Sequence, residues 1–136
     1  AVLAKIESPI NAYYLDEDND WQPNVEEMES RINAKTRGIV VINPNNPTGA
    51  VCSRKTLEAI ADLARRHNLL ILADEIYDKL IIDDDCEHIS LAALAPDVPV
   101  ITFSGLSKPY LAPGWRVGSN TIRHLAHRLA RRRPRG

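Results

Sequence analysis

The sequence predicts an α/β fold, a three-layer αβα arrangement in which helices cover a mostly parallel β-sheet. Three observations predict it: the strand segments are apolar runs, amphipathic helical segments lie between them, and polar motifs follow the strands directly. Strands that are buried on both faces have nearly continuous apolar sequences. Their alternation with helices is typical of right-handed crossovers in a parallel sheet.

Four segments are rich in valine, isoleucine, leucine or tyrosine and are therefore predicted to be strands. They are Ile10–Leu15, Gly38–Asn43, Leu69–Ala73 and Val98–Phe103. The last three are nearly continuous apolar runs, which indicates strands in the interior of a parallel sheet.

Three segments between these strands have helical patterns. The first begins with a predicted capping pair, Asn24 and Glu27, and the second begins at a predicted cap, Ser53. The third is the short stretch from Ser90 to Ala95, which Pro96 ends. The apolar positions at helical spacing are Val25, Met28 and Ile32 in the first helix, and Leu57, Ile60, Ala61 and Ala64 in the second.

The composition is that of a soluble globular domain, with 44% hydrophobic and 26% charged residues in a chain of 136. No apolar run approaches the roughly 20 residues that span a bilayer, and no leader pattern is present, so we expect a cytoplasmic protein. The isolated cysteines Cys52 and Cys86 also fit a reducing compartment. Because the chain begins with alanine and its only methionine is Met28, we expect a piece of a longer reading frame.

Charge divides the chain into two parts. Residues 1–118 contain 11 Lys and Arg against 18 Asp and Glu, a net charge of −7, whereas residues 119–136 contain six arginines and no acid. Ile122, Leu125 and Leu129 recur there at helical spacing, which permits interpretation as a basic amphipathic arm for nucleic acid. We favour a frame change or a cloning scar and expect no nucleic-acid partner, because the composition shifts inside a motif.

Polar motifs follow the last three predicted strands. NPNNPTG begins at Asn43, ADEIYD contains Asp74 and Tyr77, and SGLSKPYLAPGWRVG contains Lys108 and Arg116. Ligands bind beyond the carboxyl ends of strands in open α/β sheets, so we expect these motifs at one edge. A further acidic stretch, residues 83–88, is interpreted as a solvated loop.

Each motif alone has a simpler interpretation. Asn, Pro and Gly are typical of turns, an aspartate after a strand caps the next segment, and most lysines and arginines are solvated or form exposed ion pairs. Together, however, the motifs combine a carboxylate, a constrained lysine, an arginine and a polar turn. These are the groups needed to hold pyridoxal phosphate.

The three motifs, in this order and spacing, resemble class I aminotransferases of the pyridoxal-phosphate-dependent (fold type I) transferase superfamily, and the lysine segment resembles the alanine-aminotransferase-like branch. The resemblance covers residues 1–118 and implies the central part of the large cofactor-binding domain, with 119–136 as a basic tail outside the family pattern. It implies amino-group transfer between an amino acid and a 2-oxo acid in a homodimer. Lyase chemistry on the same scaffold, or a non-catalytic cofactor-sensing module linked to nucleic-acid binding, stays open.

The resemblance assigns catalytic roles to Lys108, Asp74 and Tyr77, and a cofactor-binding role to Asn46. It implies that Lys108 forms the Schiff base with pyridoxal phosphate and then moves a proton between substrate and cofactor. It implies that Asp74 pairs with the pyridine nitrogen of the cofactor. Tyr77 and Asn46 are implied to bind the 3-oxygen of the ring.

The phosphate of the cofactor is implied to bind Arg116 and a serine, either Ser104 or Ser107. Gly105 stands three residues before Lys108, where many relatives carry serine. We expect the arginine to converge with the catalytic lysine and aspartate on one cavity, and we expect no metal.

The resemblance also implies parts that this chain lacks: an upstream phosphate-binding loop, an aromatic residue that stacks on the cofactor ring, and a downstream small domain with an arginine for the substrate carboxylate. We therefore expect the isolated chain to bind cofactor weakly and to show little turnover. The resemblance further predicts a cis peptide bond between Asn46 and Pro47.

Overall fold

The computed structural model describes residues 9–123. In chain order, the helices and strands are β1 (Leu15–Asp16), β2 (Gln22–Pro23), α1 (Val25–Ser30), β3 (Gly38–Ile42), α2 (Arg54–Arg66), β4 (Leu70–Asp74), α3 (Leu91–Leu94), β5 (Val100–Gly105) and β6 (Gly118–Arg123). Short 3-10 helices cover Glu17–Asn19 and Pro113–Trp115.

A four-stranded sheet in the order β3-β4-β5-β6 forms the centre of the fold. The first three strands are parallel, with Ile39 opposite Ile71 and Ile71 opposite Val100. The last strand is antiparallel to β5, and Gly118 lies opposite Gly105. The predicted α/β class with a mostly parallel sheet is confirmed.

The core lies on one face of this sheet. Side chains alternate along each strand, so Ile39 and Val41 of β3 are buried while Val40 between them is 39% exposed. The helices cover the buried side with Met28 of α1 and with the apolar face of α2, on which Leu57 is fully buried. Burying such a leucine contributes about 1.5–3 kcal/mol. Residues 9–123 therefore supply the sheet and the helical layer on one of its faces.

The predicted helix caps are confirmed at Asn24 and Ser53. Asn24 Oδ1 accepts a hydrogen bond from Glu27 N at 3.0 Å, and Ser53 Oγ accepts one from Thr56 N at 3.1 Å. The predicted return contact, from the Glu27 side chain to the backbone of Asn24, is wrong. The Glu27 carboxylate instead accepts a hydrogen bond from Tyr14 N.

The first predicted strand, Ile10–Leu15, is wrong. The strand in this region is Leu15–Asp16, which pairs with β2 in a separate two-stranded ribbon. The preceding chain is held by side chains: Tyr13 packs against the core and its hydroxyl donates to Val40 O at 2.8 Å. Tyr13 therefore serves packing, Ile10 and Tyr14 are exposed, and Leu15 is the one residue of the predicted segment that lies in a strand.

The interpretation of residue 122 as part of a helix is also wrong. Ile122 lies in β6 opposite Ile101, because this segment pairs its backbone groups with the edge of β5. Leu125 and Leu129, with the rest of residues 124–136, lie outside the described residues.

Candidate functional site

The carboxyl ends of three strands meet at one edge of the sheet. Ile42 of β3 lies opposite Asp74 of β4, and Asp74 lies opposite Phe103 of β5. The backbone continues this pairing past the strand ends, since Asn43 N donates to Asp74 O at 3.0 Å and Glu75 N donates to Phe103 O at 2.9 Å. The three polar motifs therefore begin side by side, as their order in the sequence predicts.

The loop after β3 is held by its own asparagines. Asn43 is 3% exposed, and its Oδ1 accepts a hydrogen bond from Cys52 N at 2.8 Å. Asn45 N donates to Ala50 O at 2.9 Å, which closes the turn. Two peptide bonds in this loop are cis: Asn43–Pro44 and Asn46–Pro47. The predicted cis bond at residue 46 is confirmed.

Asn46, Tyr77 and Lys108 meet at this edge although each comes from a different motif. Asn46 Nδ2 donates to the Tyr77 hydroxyl at 3.2 Å. Lys108 Nζ lies 5.7 Å from the centroid of the Tyr77 ring, in the range of a cation–π contact. Tyr77 is half-buried, whereas Asn46 and Lys108 are exposed. The tyrosine therefore joins the loop after β3 to the lysine segment.

Asp74 is the last residue of β4 and is half-buried. The alternation of the strand places its side chain on the sheet face opposite the core, because the preceding Ala73 is buried in that core. Its Oδ1 accepts a hydrogen bond from Ile76 N at 3.2 Å. This bond orients the carboxylate and shapes the turn that carries Tyr77.

The predicted phosphate ligands are less closely associated with this cluster. Ser104 lies in β5 opposite Ser119 and lines a surface cleft of about 220 Å³, with Lys79 among the other lining residues. Ser107 is half-buried. Arg116 is exposed, and its guanidinium donates to Pro113 O at 3.5 Å. The structure thus joins Asn46, Tyr77 and Lys108 by contacts, while Arg116 makes a local contact.

Gly105 is explained by the close approach of two chain segments. A Cβ at this position would lie 2.9 Å from Val117 O and 3.2 Å from Ile76 Cδ1. A serine here would force β6 away from β5 or displace the turn after β4. Gly105 therefore fits a point where two chain segments approach closely, and this contact has no signature in the local sequence.

Glu75 and His88 are neighbours of the site that the sequence analysis missed. Glu75 is 7% exposed, and the side chain of His88 is 13% exposed with its Nε2 3.3 Å from Glu75 Oε2. Residues 83–87 are exposed, so the interpretation as a solvated loop holds for them and is wrong for His88. The signal available in the sequence was the adjacency of two acids at a strand exit.

Between residues 9 and 123, no helix has the length and apolar character needed to cross a membrane. Within the same range, no three His, Cys, Asp or Glu side chains form a group that could hold a metal ion.

Comparison with known proteins agrees with these motifs. The family model described as aminotransferase class I and II matches residues 2–132. A glutamate-pyruvate aminotransferase of Escherichia coli (strain K12) is 56% identical over 106 residues, which cover 78% of this chain and 26% of that protein. An alanine aminotransferase of Mycobacterium tuberculosis is 56% identical over 106 residues, covering 78% of this chain and 24% of that protein.

Solved structures give the same result. An alanine aminotransferase from Pyrococcus furiosus superposes with a TM-score of 0.84 at 41% identity, covering 89% of this chain and 30% of that chain. A tyrosine aminotransferase from Leishmania infantum superposes with a TM-score of 0.86 at 28% identity, covering 93% and 31%. The chain spans about a quarter of the length of the curated relatives.

Proposed function

This chain belongs to the family of class I and II aminotransferases, and from that membership we propose that it forms part of the cofactor site of an enzyme that moves amino groups between amino acids and 2-oxo acids. The observation that carries the proposal is the contact of Asn46, Tyr77 and Lys108 at the carboxyl edge of the sheet. Turnover belongs to the complete polypeptide, because this chain spans about a quarter of its relatives.

The donor groups at this edge suit pyridoxal phosphate. Lys108 offers an exposed amine for the aldehyde carbon, and Asp74 offers a carboxylate for the pyridine nitrogen. The Tyr77 hydroxyl and the Asn46 amide lie 3.2 Å apart, close enough to bind a single oxygen substituent of the ring. When bound, the cofactor supplies a ring that draws electron density from the substrate carbon next to the amino group.

Lys108 serves as the nucleophile and as the proton carrier in this proposal. Its amine would hold the cofactor through the aldehyde carbon, with loss of water, and as a free amine it would accept the proton that leaves the Cα atom of the substrate. The Tyr77 ring beneath Nζ supports this role because a cation–π contact holds a flexible lysine near one position. We assign the phosphate to Arg116 with Ser104 or Ser107, since the guanidinium is exposed and presents a fork of donors.

A second copy of the complete protein is proposed to cover the lysine segment. Three large apolar side chains follow Lys108 and are exposed: Tyr110 by 68%, Leu111 by 86% and Trp115 by 76%. Clustered exposed apolar side chains are typical of interaction surfaces.

The free thiols of Cys52 and Cys86 support the proposal of a cytoplasmic location.

Covalent trapping tests the proposed cofactor site. Pyridoxal phosphate is added to the chain, the adduct is reduced with borohydride, and labelled peptides are mapped by mass spectrometry. We expect preferential label on Lys108, loss of that label in Lys108→Ala, and its retention in the control Lys79→Ala, which removes a second exposed lysine near the site. Equal labelling of all lysines would refute the site.

The complete polypeptide is tested by amino transfer from glutamate to pyruvate, the pair named in the Escherichia coli relative. We expect transfer by the unaltered protein and its abolition in Lys108→Ala. Transfer that survives this substitution would contradict the assigned role.

A further inference from the structure

Glu75 is the one charged residue that is buried among residues 9–123. A charge is buried at high cost unless it has partners, so its contacts indicate what the residue does. It stands directly after Asp74 and two positions before Tyr77, within the turn that carries both proposed cofactor ligands. None of the roles assigned above uses it.

Both oxygens of the Glu75 carboxylate face the segment that leads into α3. Oε1 accepts a hydrogen bond from Leu91 N at 3.1 Å, and Oε2 lies 3.3 Å from His88 Nε2. The side chains of Glu75 and His88 are 9% and 13% exposed. The carboxylate therefore ties the turn after β4 to a segment 13 to 16 residues further along the chain.

The backbone of Glu75 is also held. Its N–H donates to Phe103 O at 2.9 Å, and its carbonyl accepts from Asp78 N at 3.1 Å. A residue fixed through its backbone and through Oε1, with Oε2 facing the His88 imidazole, restrains its neighbours in the turn. The neighbours are Asp74 on one side and Tyr77 on the other.

We propose that the Glu75–His88 pair positions Asp74 and Tyr77 for the cofactor by anchoring their turn to the segment before α3. The proposal rests on the proposed function for the identity of the ligand. Glu75 and His88 are positioning residues, since they act through the turn.

Hydrogen exchange measured by NMR reports directly on this turn. The amide of Ile76 is the reporter, because it donates to Asp74 Oδ1. His88→Leu keeps much of the side-chain volume but removes the polar Nε2 group that lies 3.3 Å from Glu75 Oε2. We expect exchange at Ile76 to accelerate roughly fivefold, because the buried carboxylate loses this polar neighbour. His88→Gln carries an amide nitrogen that reaches the same carboxylate and is expected to restore slow exchange.

A general loss of stability would accelerate hydrogen exchange at core amides as well. Exchange at the Ile71 amide, which donates to Pro99 O, is therefore measured in the same samples. We expect the ratio of the Ile76 exchange rate to the Ile71 exchange rate to rise in His88→Leu. In His88→Gln the ratio should return to its value in the unaltered chain. An unchanged ratio, or a ratio that His88→Gln does not restore, would overturn it.

The matched control is a second histidine–glutamate contact, in which His67 Nε2 lies 3.1 Å from Glu29 Oε1 between α2 and α1. His67→Leu removes a similar contact away from the site, and we expect the ratio at Ile76 to stay unchanged. A rise as large as that in His88→Leu would also overturn the proposal.

Trapping with pyridoxal phosphate and borohydride separates this proposal from the proposed function. We expect the label on Lys108 to fall in His88→Leu and to recover in His88→Gln. If the unaltered chain carries no preferential label on Lys108, the proposed function fails, while the exchange ratio still decides whether the Glu75–His88 pair positions the turn.

Discussion

The two halves of the candidate site are built differently. The exits of β3 and β4 are held by contacts within this chain, including the buried Asn43 and Glu75. The segment between β5 and β6 is more open, with Lys108 and Arg116 both exposed and the guanidinium in contact with a carbonyl three residues away.

This difference indicates where the site depends on the rest of the protein. The side proposed to bind the cofactor ring, where Asn46 donates to the Tyr77 hydroxyl, is organised by contacts within residues 9–123. We propose that the lysine and phosphate side gains further partners in the complete polypeptide, since the matched part of this chain covers about a quarter of the relatives. Substitutions of the buried residues in the first half should therefore change the stability of this chain, and substitutions of the exposed residues in the second should change mainly cofactor capture.

The largest effect is expected for Asn43→Ala. The substitution leaves the amide of Cys52 buried without its acceptor, and such a loss costs about 1–3 kcal/mol of unfolding free energy. Urea unfolding followed by circular dichroism measures it. Asn46→Ala is the control, since its side chain is exposed and should change stability by less than about 0.5 kcal/mol. Equal effects of the two substitutions would show that the first half is not held as described.

A similar or smaller loss of stability is expected for Gly105→Ala. The new Cβ would meet the carbonyl of Val117 at 2.9 Å, and relieving such a contact typically costs about 1–3 kcal/mol. The matched control is Gly114→Ala, because a Cβ there meets nothing within 4 Å. Thermal unfolding of both variants makes the comparison, and a neutral Gly105→Ala would mean that β5 and β6 are not closely paired at this point.

The two cysteines provide a smaller, kinetic contrast. Burial beneath the loop after β3 raises the pKa of Cys52 to about 11, so little of the reactive thiolate is present at neutral pH. Cys86 is exposed, although desolvation and the Asp83 carboxylate raise its pKa as well. We expect iodoacetamide to modify Cys86 at least about tenfold faster, as measured by mass spectrometry of peptides. Faster modification of Cys52 would contradict the closed structure of that region.

The smallest effect on stability is expected for Arg116→Ala. Its side chain is exposed and makes one long hydrogen bond to Pro113 O. The free energy of unfolding should therefore change by less than about 0.5 kcal/mol. Lys108 labelling by pyridoxal phosphate should fall, because the proposed phosphate contact is lost. A large loss of stability would place Arg116 in the held half of the site.

Local patterns allowed much of this fold to be predicted. The spacing of apolar residues and the cap at Ser53 identify α2, and the apolar runs identify β3, β4 and β5 to within two residues. The motifs at the strand exits were visible because a parallel sheet brings its carboxyl ends to one edge.

The remaining features depend on contacts between distant segments. Strand β6 was missed because SNTIR has a weak apolar pattern, and its pairing depends on the free edge of β5. The contact between Glu75 and His88 has no local signature either, since a buried carboxylate and a solvated one look the same in sequence. The tight space around Gly105 could not be predicted either, because its close neighbour Val117 belongs to a different segment, directly before β6.

The most direct test is an NMR titration of the isotope-labelled chain with pyridoxal phosphate. We expect chemical-shift changes to concentrate at Asn46, Tyr77 and Lys108, the residues in contact at the carboxyl edge of the sheet. Changes confined to other parts of the chain, with these three unaffected, would contradict the claim that they form one binding site.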